Sequence, residues 1–199
     1  MSDHRLIKDI SNALRTLLAS GLSEAGFHEP VEIKQPPDGG STEEIVSFWL
    51  YHITENEFVK NQPLINHAPS NGGNGGTRRA KFPPLSINLY YLITPMVDKG
   101  IKDQELLGKL MELLYDNAIV FVRVSDQSLH ELRISLCRMT LEEQTRVWDA
   151  LRQAYRLSVC YQVRVAQIDS LREQNNARIV EQVTGTGPIP ADSAGGAAR

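Results

Sequence analysis

The sequence predicts a single domain of the α/β (α+β) class, in which about three helices pack on a mixed, mostly antiparallel sheet. Segments with apolar residues at helical spacing alternate with short segments rich in β-branched and aromatic residues, in the order α, β, β, β, α, β, β, α, β. Strand pairs separate the helices, which indicates hairpins and not a repeated βαβ unit. With 199 residues, 41% of them hydrophobic, the chain is long enough to form one core.

Three segments are predicted to be helices. The first carries leucine and isoleucine at helical spacing, and Gly21 is expected to end it. The third begins with a capping box, because Thr140 and Glu143 have the T-x-x-E spacing. The predicted helices span residues 3–20, 102–115 and 140–155.

Six segments are predicted to be strands, at 31–34, 45–53, 85–93, 119–124, 132–136 and 159–168. In the 85–93 segment every second residue is apolar, so at least one face of the sheet is expected to be covered. The sequence has two cysteines, Cys137 at the end of the predicted 132–136 strand and Cys160 in the predicted 159–168 strand. Reduced, buried thiols are expected, and a disulfide stays open if the two strands are neighbours.

Composition limits the partners and the compartment. The net charge of −3 argues against a general nucleic-acid binder or a protein of anionic membranes, so neither is expected as a partner. Charged residues within positions 1–15 argue against a secretory leader, and the apolar runs are far shorter than the roughly 20 residues that cross a bilayer. A cytoplasmic site of assembly is therefore expected.

The domain organisation follows from shifts in composition. Residues 1–168 are predicted to form the folded domain, interrupted by a flexible, glycine-rich loop at 66–81. Residues 169–199 are polar and then rich in Gly, Pro, Ala and Ser. This C-terminal extension is predicted to be a flexible tail, largely disordered in isolation.

The sequence offers no recognisable catalytic or metal site. The stretch "NGGNGGTRR" lacks the Gly-Lys-Ser/Thr of a phosphate-binding loop, and it precedes a predicted strand where such loops precede a helix. The five histidines are scattered and show no metal-ligand spacing. We therefore expect a binding or structural module that is not an enzyme and needs no cofactor.

Two groups of residues are candidate contact sites. Arg78, Arg79 and Lys81 form a local basic patch, for which the alternative is an ordinary solvated loop. Trp49 and Tyr90 are candidate interface aromatics. For Trp49, as for Trp148, the sequence does not separate a core position from an interface position.

Three blocks of the sequence resemble a known family. They are "PPLSINLYYLIT" at 83–94, followed by "LLG" at 106–108; "VSFWLYHITENEFVKNQPL" at 46–64; and "VWDALRQAYRLSVCYQVRV" at 147–165. Together they resemble the cap, or tail-terminator, proteins of phage-tail-like contractile injection systems of the virulence-cassette and antifeeding type. Gln104 and Glu105 stand where many relatives have a histidine before the "LLG" block.

The resemblance implies a tail-terminator-like fold and a structural role. Such caps form a homohexameric ring that ends the inner tube and anchors the last ring of sheath, so the implied partners are the chain itself, the tube protein and the sheath protein. Arg78, Arg79 and Lys81 are then expected to contact the tube or a neighbouring subunit. Arg178, Ile179 and Val180, in the apolar part of the extension, are expected to contact sheath, for example as an added strand.

Two alternatives remain at this stage. A tube, sheath or baseplate adaptor of the same kind of particle would share the fold and differ only in its position. A small-ligand-binding α/β enzyme is more remote, since it needs a convergent acid–base set that the sequence does not show. The assembled particle is either released from the cell or stays anchored, and the sequence does not distinguish the two.

Overall fold

The computed structural model describes residues 4–37, 43–56, 65–67, 79–81, 85–97, 100–124, 129–168 and 173–175. The helices are α1 (Leu6–Glu24), α2 (Gly100–Asp116) and α3 (Leu141–Leu151). The strands are β1 (Val31–Glu32), β2 (Ile45–Glu55), β3 (Ile65–His67), β4 (Arg79–Lys81), β5 (Leu85–Met96), β6 (Ile119–Arg123), β7 (Leu129–Leu136), β8 (Val159–Ile168) and β9 (Glu173–Asn175).

Six of these strands form the main sheet, in the order β1-β2-β5-β8-β7-β6. The β1–β2 pair is parallel, and the other four pairings are antiparallel. Strands β5 and β8 lie at the centre of this sheet, and both edges of each are paired. This confirms the predicted fold class, a single α/β domain with a mixed, mostly antiparallel sheet and three helices in the described part of the chain.

The hydrophobic core lies between one face of this sheet and the first two helices. Helix α1 packs against α2 and β1, and α2 packs against β5 and β7. Alternate strand residues enter the core, because successive side chains of a strand point to opposite faces. The core includes Ile10, Leu14, Leu18, Leu106, Leu110, Phe48, Leu89, Tyr91, Ile93, Leu132 and Val163.

One aromatic pair anchors α1 to the centre of the sheet. Phe48 of β2 and Tyr91 of β5 stack with their ring centroids 4.4 Å apart and their planes 4° from parallel. The Tyr91 hydroxyl is 2.8 Å from the Ser11 hydroxyl of α1, which in turn donates to the Ile7 carbonyl. Burial raises the pKa of Tyr91 to about 12, so the phenol stays neutral in the core.

Helix α1 is longer than the sequence predicts. It continues past Gly21 to Glu24, and Gly26, with φ +85°, ends it. The Gly26 N–H donates to the Ser23 carbonyl and the Phe27 N–H donates to the Leu22 carbonyl, which is the Schellman arrangement. The expected stop at Gly21 is wrong because the left-handed residue that the cap requires comes five positions later.

Helix α3 begins at the predicted capping box. The Glu143 N–H donates to the Thr140 hydroxyl and the Glu143 carboxylate accepts from the Thr140 N–H, so both halves of the box are formed. The helix ends at Leu151, four residues earlier than predicted, where Arg152 adopts a left-handed conformation with φ 57°. Trp148 is buried and its indole N–H donates to Ser158, which makes Trp148 a core residue.

The remaining three strands form a second, small sheet in the order β3-β4-β9. None of them was predicted, because each has only three residues and two of them flank the glycine-rich loop. Strand β9 belongs to the stretch predicted as a C-terminal extension, and it pairs with β4 at the end of the loop. The boundary at residue 168, the flexibility of the loop at 66–81 and the disorder of the extension stay predictions.

Candidate assembly surface

The second face of the main sheet carries a different set of residues from the core face. One row crosses four strands as directly opposed neighbours: His52 of β2, Tyr90 of β5, Gln162 of β8 and Ser135 of β7. His52 and Ser135 are exposed, while Tyr90 and Gln162 are partly exposed. This part of the sheet therefore presents polar and aromatic side chains to the outside of the described structure.

A β-bulge sets the pattern of β2 on this face. The pairing of β2 with β5 shifts register between Leu50 and His52, which leaves Tyr51 as the extra residue. Trp49 before the bulge and His52 after it therefore lie on the same face, although they are three positions apart. A regular strand would place one of them on the core face, because side chains alternate.

The bulge assembles an aromatic cluster from Trp49, Tyr51, His52 and Tyr90. The Tyr51 ring lies 6.1 Å from Trp49 and 6.5 Å from Tyr90, and the His52 ring lies 5.4 Å from Tyr90. All four side chains are partly or fully exposed. The structure thus brings the two predicted interface aromatics, Trp49 and Tyr90, into one cluster. It adds Tyr51 and His52, which sequence reasoning missed because no sequence pattern predicts the bulge.

Three members of the aromatic cluster, Tyr51, His52 and Tyr90, line one side of an open groove of about 630 Å³. Trp49 lies beside Tyr51 and is not part of this lining. Arg138, Gln162 and Arg164 contribute polar groups to its lining, and Glu143 lies at its rim. Hydrogen bonds from the backbone N–H and the hydroxyl of Thr140 lower the pKa of Glu143, so its carboxylate is ionised and already engaged in capping α3.

The groove is basic in character. Arg138 and Arg164 are exposed, and in the described part of the chain neither has an ion-pair partner. Arg164 also lies directly opposite Arg133 in the β7–β8 ladder, a placement of like charges that is unfavourable by itself. Arg133 is paired with Glu131 on its own strand, so Arg164 and Arg138 are left to face the groove.

Sulfur groups lie beneath the aromatic cluster. The Tyr51 hydroxyl is 3.0 Å from Cys160 Sγ and 3.6 Å from Met139 Sδ. Burial and its sulfur neighbour raise the pKa of Tyr51, so the hydroxyl keeps its proton. Cys137 and Cys160 are both free thiols. Cys160 is buried, as expected, whereas the expected burial of Cys137 is wrong, because Cys137 lies one residue beyond the end of β7 and is partly exposed.

A second, smaller cleft of about 270 Å³ lies at the turn between α1 and β1. It contains the ion pair of Glu29 with Lys102, which joins this turn to α2. The Glu29 side chain is only 5% exposed, and burial opposes its ionisation. The hydrogen bond from Lys102 outweighs that cost, together with backbone N–H groups, and leaves the pKa of Glu29 below its usual value. We interpret this cleft as a structural tie.

The other predicted contact residues are not tested by the structure. Arg78, Arg178, Ile179 and Val180 lie outside the described residues, while Arg79 and Lys81 fall on β4, where the structure defines only the backbone. Among the described residues no group of His, Cys, Asp and Glu is suited to hold a metal ion. No helix in the described ranges is long and apolar enough to span a membrane.

Comparison with known families gives a match over most of the chain. Residues 9–182 match the family described as the Pvc16 N-terminal domain. The chain belongs to this family. The family resemblance derived from the three sequence blocks is thereby confirmed. Among curated proteins, no sequence matches at a significant level.

Two solved structures share the fold. A sheath/tube terminator of an extracellular contractile injection system, in its extended state, aligns with a TM-score of 0.58 and 20% identity over 96% of this chain. The tube-terminating cap of the anti-feeding prophage aligns with a TM-score of 0.53 and 20% identity over 88% of this chain. The chain spans 66% of the first of these proteins and 59% of the second.

Proposed function

We propose that this chain is the structural cap of a contractile injection system, a terminator that ends the inner tube and holds the last ring of sheath. Membership of the Pvc16 N-terminal domain family and the fold shared with two terminators support the role. The single observation that carries the proposal to particular residues is the basic, aromatic groove on the second face of the sheet. The proposal assigns the chain no catalytic step and no cofactor.

The groove has the composition of a protein-binding surface. Aromatic residues and arginine are enriched at protein interfaces and supply most of their hot spots. Here Tyr51 and Tyr90 line the groove together with Arg138 and Arg164, and Trp49 lies beside Tyr51. The two arginines favour a partner that presents carboxylates at this point, because a charge-assisted pair relieves the repulsion around Arg164.

The proposed assembly is a homohexameric ring. Each copy presents the groove to a different surface of its neighbour, so the contact is heterologous and the ring closes by rotation. A stable contact of this kind buries about 800 Å² on each partner. Six equivalent contacts on the tube end add avidity, so individual contacts need not be strong.

The small sheet supports a second part of the proposal, the contacts to tube and sheath. Strand β4 begins at Arg79, directly after the glycine-rich loop that carries Arg78. In the β4–β9 pair, Arg79 is opposite Asn175, the last residue of β9. The loop that carries Arg78 and the segment that leads to Arg178, Ile179 and Val180 therefore leave the small sheet at the same end. We propose that Arg78, Arg79 and Lys81 contact the tube or the neighbouring subunit, and that 178–180 contact sheath.

Substitutions in the aromatic cluster at the edge of the groove test the assembly role. The double variant Trp49→Ala, Tyr90→Ala is co-produced with the tube and sheath proteins of its particle, and electron microscopy measures cap occupancy and tube length. We expect fewer capped ends and longer, less uniform tubes. The matched control is Tyr115→Ala, since Tyr115 is an aromatic residue with 83% exposure at the end of α2, away from the groove.

The thermal unfolding of each variant shows whether the domain is intact, so a loss of capping with normal unfolding identifies a contact defect. Normal occupancy and tube length in the folded double variant would remove the groove from the proposal. A label on this chain separates the two particle roles. A label at the tube end distant from the baseplate supports a cap, and a label at the baseplate supports the adaptor.

A further inference from the structure

The two cysteines of the chain lie directly opposite each other on neighbouring strands. Strand β7 pairs with β8 in a regular antiparallel register that ends at Leu136 and Tyr161. Continuing this register by one residue sets Cys137 opposite Cys160, and the Cys137 N–H donates to the Cys160 carbonyl at 2.8 Å. Residues in such a hydrogen-bonded pair have Cα atoms about 5.5 Å apart and side chains on the same face.

This separation suits a disulfide. Bridged cysteines have Cα atoms most often about 5.5–6 Å apart, but their Cβ atoms are about 3.5–4.5 Å apart, which is closer than in a hydrogen-bonded strand pair. The bond therefore requires a small shift of Cys137, which lies just past the end of β7, and it is strained. The two side chains influence each other's ionisation, since Cys160 raises the pKa of Cys137 and Cys137 lowers the pKa of Cys160. The Tyr51 hydroxyl lies 3.0 Å from Cys160 Sγ, and either group can donate this hydrogen bond.

The two thiols differ in access. Cys137 belongs to the lining of the groove and is partly exposed, while Cys160 is only 2% exposed. A dissolved oxidant larger than a few atoms therefore meets Cys137 first. Cys160 is placed to act second, from within the fold.

We propose that Cys137 and Cys160 are a modification site, a cross-strand dithiol that low-molecular-weight disulfides convert reversibly to an internal disulfide. This inference rests on the sheet register and on the groove, and it does not depend on the capping role. The two cysteines are then a dithiol in a reducing solution and form a disulfide when the protein passes into an oxidising one.

The chemistry proceeds by two thiol–disulfide exchanges. Cys137 Sγ loses its proton to solvent and attacks one sulfur of the small disulfide RSSR, which forms a mixed disulfide on Cys137 and releases RS⁻; the raised pKa of Cys137 makes this first exchange the slow step. The Cys160 thiolate then attacks Cys137 Sγ, which forms the internal bond and releases the second RS⁻. The two protein protons end on the two released thiols, so the protein is oxidised by two electrons and RSSR is reduced to two RSH.

Oxidation changes the groove. The bond ties the segment after β7, which leads to α3, to the central strand β8 directly below Tyr51. It also removes the Cys160 thiol that lies 3.0 Å from the Tyr51 hydroxyl, and a disulfide sulfur has no proton to donate, so the aromatic cluster loses one of its anchors. The hydrogen bond between Cys160 and the Tyr51 hydroxyl stabilises the reduced form, and together with the strain of the disulfide it favours a bond that is easily reduced.

Oxidised glutathione provides a direct test on the purified, reduced, wild-type chain. Samples are taken over time, free thiols are alkylated, and the intact mass is measured. Because the sequence contains two cysteines, a monomer that carries neither alkyl group nor glutathione and has lost two hydrogens contains the Cys137–Cys160 bond. We expect this species to accumulate with only a transient mixed disulfide, and dithiothreitol to reverse it completely.

Single variants check the order of the two steps. Cys160→Ser is expected to stop at a stable mixed disulfide on Cys137, and Cys137→Ser to react at Cys160 only after the chain is unfolded in urea. The proposal is overturned if the wild-type chain keeps both thiols under conditions that modify Cys160→Ser. It is also overturned if the wild-type chain stays as a stable mixed disulfide or links to a second copy without the internal bond.

Discussion

Replacement of Gly21 by alanine tests how α1 and α2 pack. Gly21 lies inside α1, and its backbone faces Leu113 of α2. A Cβ built on Gly21 would lie 2.8 Å from Leu113 Cδ1 and closer still to Cδ2. Gly108 of α2 is the matched control, because it is also a helical glycine and a Cβ there meets nothing within 4 Å.

The magnitudes follow from two opposing effects. Alanine in place of glycine in a helix interior stabilises by about 0.5–1 kcal/mol. Gly108→Ala should show this gain in full. At Gly21 the same gain is offset by overpacking, which typically costs about 1–3 kcal/mol. Gly21→Ala should therefore be about 1–3 kcal/mol less stable than Gly108→Ala, a difference of several degrees in melting temperature for a chain of this size.

Urea unfolding of a double-mutant cycle measures the contact itself. In the Leu113→Ala background the colliding atoms are gone, so Gly21→Ala should become stabilising by about 0.5–1 kcal/mol. The coupling free energy between the two positions is then about 1–3 kcal/mol. If Gly21→Ala stabilises the wild-type chain as much as Gly108→Ala does, the close approach of the two helices at this point is refuted.

Three further predictions concern single contacts. Ser11→Ala leaves the buried Tyr91 hydroxyl without its partner and should lower the free energy of unfolding by about 1–3 kcal/mol, whereas the same change in a Tyr91→Phe background should cost clearly less. The lowered pKa of Glu29 means that the folded chain binds fewer protons at this residue than the unfolded chain. The ionised Glu29 therefore contributes to the free energy of unfolding above its usual pKa of 4.5, and this contribution is lost as the pH falls through the lower pKa of the folded chain. Urea unfolding at a series of acidic pH values should show a shallower loss of stability for Glu29→Gln than for the wild-type chain, and an equal slope would contradict the role of the pair with Lys102. Thr140→Ala removes the cap of α3 and should lower the free energy of unfolding by about 1 kcal/mol. Amide hydrogen exchange should accelerate more in the first turn of α3 than in the main sheet.

The family and the regular elements were readable from the sequence because their signals are local. The stripes of α1 and α2, the alternation along β5 and the capping box at Thr140 each lie within one short segment, and each is present in the structure. The three sequence blocks identified the family for the same reason. The end of α1 was misread because Gly21 looks like a stop, while its presence inside the helix depends on Leu113, which is distant in the sequence.

The candidate surface needed the tertiary structure. The sequence indicated Trp49 and Tyr90 as contact residues. Their neighbours, however, depend on the bulge at Tyr51, and this bulge arises from the pairing of two strands that are some forty residues apart in the sequence. The opposition of Cys137 and Cys160 likewise depends on the β7–β8 register, and a shift of one residue would turn the two thiols to different partners and faces. Periodicity along the chain determines which residues are buried. Long-range strand pairing determines which of the remaining residues contact one another, and the residues that line the groove are of this second kind.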